Sequence, residues 1–241
     1  KDVHKYGMLD VSGVIRKSSN VGITKIALSL PAERIWSLLS NAGFGVQTES
    51  GFPGEASGLL AGYRNWNPIE TATLAFGYGI SVTPLQLARA YAVVAAEGIS
   101  RPVSFLRRDA VPRGERVLSV RVAQQVMAML EDVTGPEGTA LAARVAGYRV
   151  AGKTGTVRKS IAGGYADDRY LAVFAGVAPV TNPRLVMVVM VNEPGNDKYY
   201  GGQVAAPVFS RVMSGALRLM AIPPDNYPIL ETRNETSGEP A

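Results

Sequence analysis

Gly152-Lys153-Thr154-Gly155-Thr156 closes a strand-reading run, Tyr148-Arg149-Val150-Ala151, and leads into what reads as a polar loop rich in Lys, Arg, Gly and Asp. The five residues set one cation and two hydroxyls beside backbone that a ligand can approach closely, because Gly155 carries no Cβ. Such a group could serve a substrate site. It is equally the composition of an ordinary exposed edge strand. A second polar group, Lys17-Ser18-Ser19-Asn20, interrupts a helical pattern far upstream. Ser and Asn also favour helix ends, and Asn20 reads as the N-cap of the following helix. From these residues alone, capping and chemistry both stand open.

The elements that must hold the two groups follow from periodicity. Leu9 to Leu30 reads as helix, break, helix, with Val11, Val14 and Ile15 on one stripe and Val21, Ile23, Ile26, Ala27 and Leu30 on the next. Pro31 opens a third helix to about Asn41. Residues 44–67 hold five glycines and read as a long surface segment. Pro68 starts a short helix through Leu74. Thr83 caps a helix that Pro84 opens and that runs to about Ala96. Ser119 caps another, to about Val133, with Val122, Val126, Met129 and Leu130 inward. From residue 148 the pattern turns to strand. Leu171–Val180 and Arg184–Val191 are apolar runs joined at Thr181-Asn182-Pro183, a hairpin of buried strands. The final helix spans about Val204–Met220, with Val204, Val208, Val212, Ala216 and Leu219 inward.

The chain is therefore α+β: residues 1–135 mostly helical, about 148–222 a sheet with a terminal helix. A cleft between the halves is the natural place for a site, with Ser18–Asn20 on one wall and Lys153–Thr156 on the other. From Pro223 to Ala241 the composition predicts a disordered tail. Asn234-Glu235-Thr236 within it fits a glycosylation sequon.

Composition narrows the chemistry. The 241 residues are 46% hydrophobic and 19% charged, enough for a substantial core. No cysteine is present, which removes disulfides, thiolate metal sites and a cysteine nucleophile. The single histidine, His4, lies in a polar stretch and reads as a surface residue, which argues against a His-based triad or a multi-His metal site. The net charge is +5, but the arginines are scattered without interleaved aromatics, so nucleic acid is a poor partner. No apolar run reaches the eighteen residues of a spanning helix, and no signal peptide is legible.

Ser18-x-Asn20 followed by Lys153-Thr154-Gly155 resembles the second and third motifs of the penicillin-binding proteins and serine β-lactamases, a motif set established for that superfamily. Longer phrases agree: Val14 to Gly22, Gly77-Tyr78-Gly79 with Val82 to Ala88, and Tyr199-Tyr200-Gly201-Gly202 before Ala206-Pro207-Val208-Phe209. Over about Gly7–Pro224 the chain resembles the class B penicillin-binding proteins, in particular the division-specific D,D-transpeptidases of the penicillin-binding protein 3 type. The resemblance implies the penicillin-binding protein/serine β-lactamase-like transpeptidase fold, a helical subdomain beside an antiparallel sheet with a C-terminal helix. It implies catalytic roles for Ser18, Asn20 and Lys153. Thr154, Gly155 and Thr156 would bind the carboxylate end of a D-Ala-D-Ala stem peptide or of a β-lactam. Tyr78, Tyr170, Tyr199 and Tyr200 would wall the cleft, or else pack as ordinary aromatics. No metal and no cofactor is implied.

One departure is plain. The family's nucleophile stands in a Ser-x-x-Lys motif upstream of Ser-x-Asn, and no serine here has a lysine three residues on. Thr156-Val157-Arg158-Lys159 has the spacing but lies within the third motif. The expectation is an excised fragment whose N-terminal part, with the nucleophile, is missing. By resemblance the parent would act in the periplasm, held in the inner membrane by a segment outside this chain. Its partners would be peptidoglycan stem peptides, β-lactams and a glycan polymerase of the division machinery. Two alternatives remain at this point: a serine β-lactamase of the same superfamily, and a catalytically silent scaffold that keeps the fold.

Overall fold

The structure, a computed structural model, describes residues 2–195 and 198–226. Helix α1 (Val11–Lys17) starts where Asp10 Oδ1 accepts the Gly13 N–H at 2.7 Å. Ser18 ends it in the left-handed region (φ 55°, ψ 47°). Helix α2 (Asn20–Leu28) begins two residues on. Its cap is Ser19, not Asn20 as expected: Ser19 holds extended backbone and its Oγ accepts the Gly22 N–H at 2.9 Å. A cap must lie outside the helix, and Asn20 is already its first turn.

Helix α3 (Ala32–Asn41) follows Pro31, which takes the cap position rather than the first helical one. A short strand β1 (Leu59–Leu60) later pairs with β2 (Ile80–Ser81). Between them, helix α4 (Pro68–Leu74) is started by an Asn67/Glu70 capping box. Helix α5 (Pro84–Ala95) is started by the equivalent Thr83/Gln86 box. Gln86 is fully buried and its Nε2 donates to Val46 O and Ser57 O, which pins the long 44–62 segment. Strands β3 (Ile99–Ser100) and β4 (Glu115–Arg116) pair, and Ser119 caps helix α6 (Val120–Asp132).

The main sheet is antiparallel, in the order β5 (Ala151–Ile161), β6 (Gly164–Ala178), β7 (Leu185–Asn192). The β6–β7 hairpin stands where the apolar runs place it, with Ala178 opposite Leu185. The polar stretch after Thr156 departs from expectation. It is no loop, but a continuation of β5 paired to the first half of β6, with Arg158 opposite Tyr170 and Ile161 opposite Gly164. Largely exposed, this ribbon has no apolar alternation to betray it. Its turn is set by Gly163 at φ 89°, and Arg158 Nη1 meets Asp167 Oδ1 at 2.9 Å across it.

The terminal helix is broken into α7 (Gly201–Val204) and α8 (Ala206–Leu219). Pro207, with no N–H, cannot bond back to Gln203, so the two do not fuse. The face of α8 that packs is Phe209, Met213 and Leu217; Val212 and Leu219 of the expected stripe are exposed. The reason is shape: Phe209 fits the gap left by Gly176, edge-to-face on Phe174 at 4.8 Å. A similar one-residue rotation brings Ala123 and Met127 of α6 inward with Leu130, while Val122 turns to solvent.

The sheet is thus filled from both sides. Phe174 and Ala178 meet α8 on one face, while Ala151 and Val177 meet Met127 and Leu130 of α6 on the other. Of the expected tail, residues 223–226 are described and anchored: Asp225 accepts from Arg149 N at 2.7 Å and from Thr181 N at 2.9 Å. Residues 227–241, with the Asn234 sequon, lie outside the described residues.

Candidate active site

The break between α1 and α2 is what presents Ser18 and Asn20. Ser18 sits in a backbone region that costs a non-glycine residue about 1 kcal/mol or more, held there by its N–H on Ile15 O at 3.2 Å. Because Ser19 does the capping, the side chains on either side of it are released from that duty. No hydrogen bond engages the Asn20 amide among the described residues, and Asn20 lines a cleft of about 880 Å³. Ser18, Thr154, Thr156 and Tyr200 line the same cleft.

The opposite wall is β5, an edge strand of the three-stranded sheet. Lys153 reaches back to the helical half, where its Nζ donates to Ser18 Oγ at 2.7 Å and to Thr154 O at 3.1 Å; it lines not the larger cleft but a cavity of about 340 Å³ beside it, together with Ser18, Asn20 and Thr154. Lys153 and Ser18 are 135 residues apart in sequence. Burial lowers the Lys153 ammonium from its ordinary value to about 8, since a charged amine loses hydration there. No carboxylate offsets the loss; among the described residues Lys153 makes no salt bridge. An amine so poised accepts the Ser18 proton when neutral. When charged, it donates to Ser18 Oγ and leaves the serine's own O–H free for another acceptor.

Strand alternation puts Thr154 and Thr156 on the face opposite Lys153. Thr154 Oγ1 pairs with Thr139 Oγ1 at 2.9 Å, and Thr156 Oγ1 accepts the Gly201 N–H at 3.0 Å. Neither hydroxyl is exhausted. Having accepted from Gly201, Thr156 keeps an O–H to donate; one of the two protons in the Thr139–Thr154 pair is likewise free. Gly155 between them is not required by packing among the described residues: of these, a Cβ there would meet only Val173 Cβ, at 3.5 Å. Gly201 is required, because its Cβ would fall 2.3 Å from Val173 O and 2.5 Å from Gly155 O. The start of α7 therefore rests directly on the β5–β6 edge.

The tyrosines divide. Tyr170 stacks on Tyr199 at 4.1 Å, and Tyr199 leans on Tyr200 at 4.5 Å, so the three form one aromatic row, of which Tyr200 borders the cleft. The Tyr200 hydroxyl beside it holds the Tyr199 phenol above its ordinary value. Tyr78 packs edge-on to Tyr165 and its oxygen accepts the Arg158 N–H at 3.4 Å, farther along β5. Thr139, Gln203 and Lys17 also line the cleft, though no motif or spacing singles them out. Thr139 follows the Gly135-Pro136 break, and a lone threonine in a turn carries no signal of its own. His4, expected at the surface, is exposed and borders the cleft mouth.

Fold and site together define an α+β cleft protein of the penicillin-binding protein/serine β-lactamase-like class, with a serine–lysine pair bridging its two halves. Residues 1–214 match the penicillin-binding protein transpeptidase domain family, and the chain belongs to it. It is 46% identical over 225 residues to peptidoglycan D,D-transpeptidase FtsI of Escherichia coli K12, covering 93% of this chain and 38% of that protein. It is 44% identical over 224 residues to the probable peptidoglycan D,D-transpeptidase PenA of Neisseria meningitidis, covering 93% and 39%. The apo transpeptidase domain of Burkholderia pseudomallei penicillin-binding protein 3 superposes with a TM-score of 0.89 at 46% identity, covering 94% of this chain and 69% of that one. The chain spans about two fifths of the length of the curated relatives it matches.

Proposed function

We propose that this chain forms the substrate-gripping walls of a peptidoglycan D,D-transpeptidase that cross-links stem peptides through an acyl-serine during septal wall synthesis, and that β-lactams acylate. The observation that carries the reading is the Lys153 Nζ–Ser18 Oγ contact of 2.7 Å between the sheet and helical halves, with Lys153 held near the pH at which it can pass a proton. The nucleophilic serine and its lysine base come from polypeptide outside this sequence.

In this reading Asn20 orients the acyl-side carbonyl of the substrate through its free amide. Ser18, with Lys153 behind it, carries the proton from the nucleophile to the leaving amine of D-alanine; the C–N bond breaks as the serine ester forms. With Thr139 donating to Thr154, the O–H groups of Thr154 and Thr156 hold the substrate carboxylate. Gly155 lets the peptide lie along β5 as an added strand. The Thr156 N–H supplies one donor to the oxyanion, a contribution of about 10²–10³ in rate. The row Tyr170, Tyr199 and Tyr200 closes one side, and Tyr78 steadies the far end of β5. The site faces the periplasm, with the membrane anchor and the contact to a glycan polymerase on other parts of the protein; no helix among the described residues is long and apolar enough to cross a membrane.

The test is intact-mass analysis of the full-length protein after incubation with a β-lactam. One stable adduct in the wild type, lost in Lys153→Ala with the fold retained, is the expected result. Undiminished labelling of the variant removes Lys153 from the mechanism. Rapid turnover of a chromogenic cephalosporin in place of a stable adduct replaces the transpeptidase reading with a hydrolytic one.

A further inference from the structure

Three guanidinium groups without a carboxylate partner line a second cavity. It measures about 680 Å³ and shares no lining residue with the cleft. Arg89 comes from α5, Arg101 from the segment after β3, and Arg113 from the segment before β4. Gln47, Ser57 and Ser100 add neutral polar groups. Among the described residues none of the three arginines has a carboxylate oxygen within salt-bridge distance. Their one side-chain hydrogen bond among the described residues is long, Arg89 Nη2 to Ser100 Oγ at 3.4 Å. Nε of Arg89 and Nε of Arg101 are buried with no hydrogen-bond partner among the described residues.

Arg89 and Arg101 are half-buried and Arg113 is exposed, and guanidinium groups whose N–H donors find so few acceptors in the protein are available to an oxyanion. Two of the cations are also fixed. The Arg89 guanidinium lies over the backbone of Gly43, where an added Cβ would be 3.0 Å from Nη1. Arg101 Cγ is packed against Gly114, 2.9 Å from where its Cβ would be. The loops that form the walls are clipped together by Phe52 and Phe105, edge-to-face at 5.9 Å. Side chains already held in place lose little freedom on binding. Glu49 and Glu115 also border the cavity, which sets its net charge at +1 and favours a ligand of low charge over a polyanion.

We propose that this cavity is a binding site for a small organic oxyanion, a carboxylate or phosphate held by Arg89, Arg101 and Arg113, separate from the catalytic cleft. Guanidinium forks match either oxyanion with paired N–H donors. The volume is that of a small-molecule pocket and well beyond a bare ion, so the anionic group is one end of a larger molecule.

The test is isothermal titration of the full-length protein in chloride buffer with inorganic phosphate and, separately, with succinate. Saturable binding of either anion, weakened at least tenfold in Arg101→Gln/Arg113→Gln, is the expected result; which anion binds tells the phosphoryl from the carboxylate source. A second variant, Glu115→Gln, lies on the exposed rim, where substitution leaves folding intact. Removing its charge tightens binding by about threefold, the size expected of one charge several ångströms away in a partly solvated site. The proposal fails if neither anion saturates the wild type below about 10 mM, a 1:1 affinity too weak for a built site. It also fails if the double variant binds as the wild type does, or if Glu115→Gln leaves affinity unchanged or lowers it.

Discussion

Alanine at Gly155 and alanine at Gly201 should separate ligand approach from folding. The two glycines are neighbours in space, with Gly201 resting on the Gly155 carbonyl. At Gly201 a Cβ would stand 2.3 Å from Val173 O and 2.5 Å from Gly155 O. Both obstacles are backbone, so α7 has to retreat by well over half an ångström. That retreat breaks the 3.0 Å bond from Gly201 N to Thr156 Oγ1. Overpacking of this kind costs about 1–3 kcal/mol, and the lost hydrogen bond about 1 kcal/mol more. At Gly155 the only neighbour of a Cβ among the described residues is Val173 Cβ at 3.5 Å, an ordinary contact. The methyl projects on the face that carries Lys153, where it would crowd the side groups of a ligand lying along β5. Gly155→Ala should leave stability within about 0.5 kcal/mol of wild type, yet lower the β-lactam acylation rate at least tenfold. Gly201→Ala should lower both, by about 2–4 kcal/mol in urea unfolding. The assays are urea denaturation and time-resolved adduct mass on the full-length protein. Wild-type acylation by Gly155→Ala would refute the claim that ligand lies along β5 at this residue.

Three further outcomes are expected. NMR titration of the Lys153 side chain should give a midpoint near 8 rather than the ordinary 10.5. The folded midpoint lies below the unfolded one, so the penalty for burying the charge is complete below about pH 8 and is relieved as pH rises toward 10.5. Wild type should therefore gain stability relative to Lys153→Met over that window; a flat difference would mean the amine is solvated. Ser18→Gly should raise stability by up to about 1 kcal/mol, since glycine accepts the left-handed backbone freely, while abolishing the β-lactam adduct; a loss of stability would show that the hydroxyl, not the backbone, dominates there. Phe209→Ala should cost about 3–5 kcal/mol with an unchanged denaturant slope, because the ring is fully buried against Phe174; a cost under about 1 kcal/mol would mean α8 repacks over the sheet.

The helix starts at Pro68, Thr83 and Ser119 were legible because proline presets the first turn and capping is a local contest between a side chain and the next few backbone amides, though the Asn67 cap before Pro68 was not singled out. The β6–β7 hairpin was legible because two unbroken apolar runs meet at Thr181-Asn182-Pro183; that the β6 run is buried while β7, at the end of the three-stranded order, is only half-buried was not. Ser18, Asn20 and Lys153 to Thr156 could be picked out by type and spacing, and the resemblance built on them extends through most of the chain. Tertiary structure decided what local rules leave degenerate. Ser19 and Asn20 are both competent caps, and the backbone angle at Ser18 assigns the work to Ser19. The inward faces of α6 and α8 are turned by one residue, because the fit of Phe209 over Gly176 and Phe174 outweighs the apolar content of the alternative stripe. The outer half of the β5–β6 ribbon carries no apolar alternation, so only pairing across its turn reveals it. The contact between Lys153 and Ser18 joins residues 135 apart. Its distance, its burial and the lowered pKa of the amine belong to the packed cleft, because solvent exclusion is a property of the surroundings and not of a lysine in a sequence.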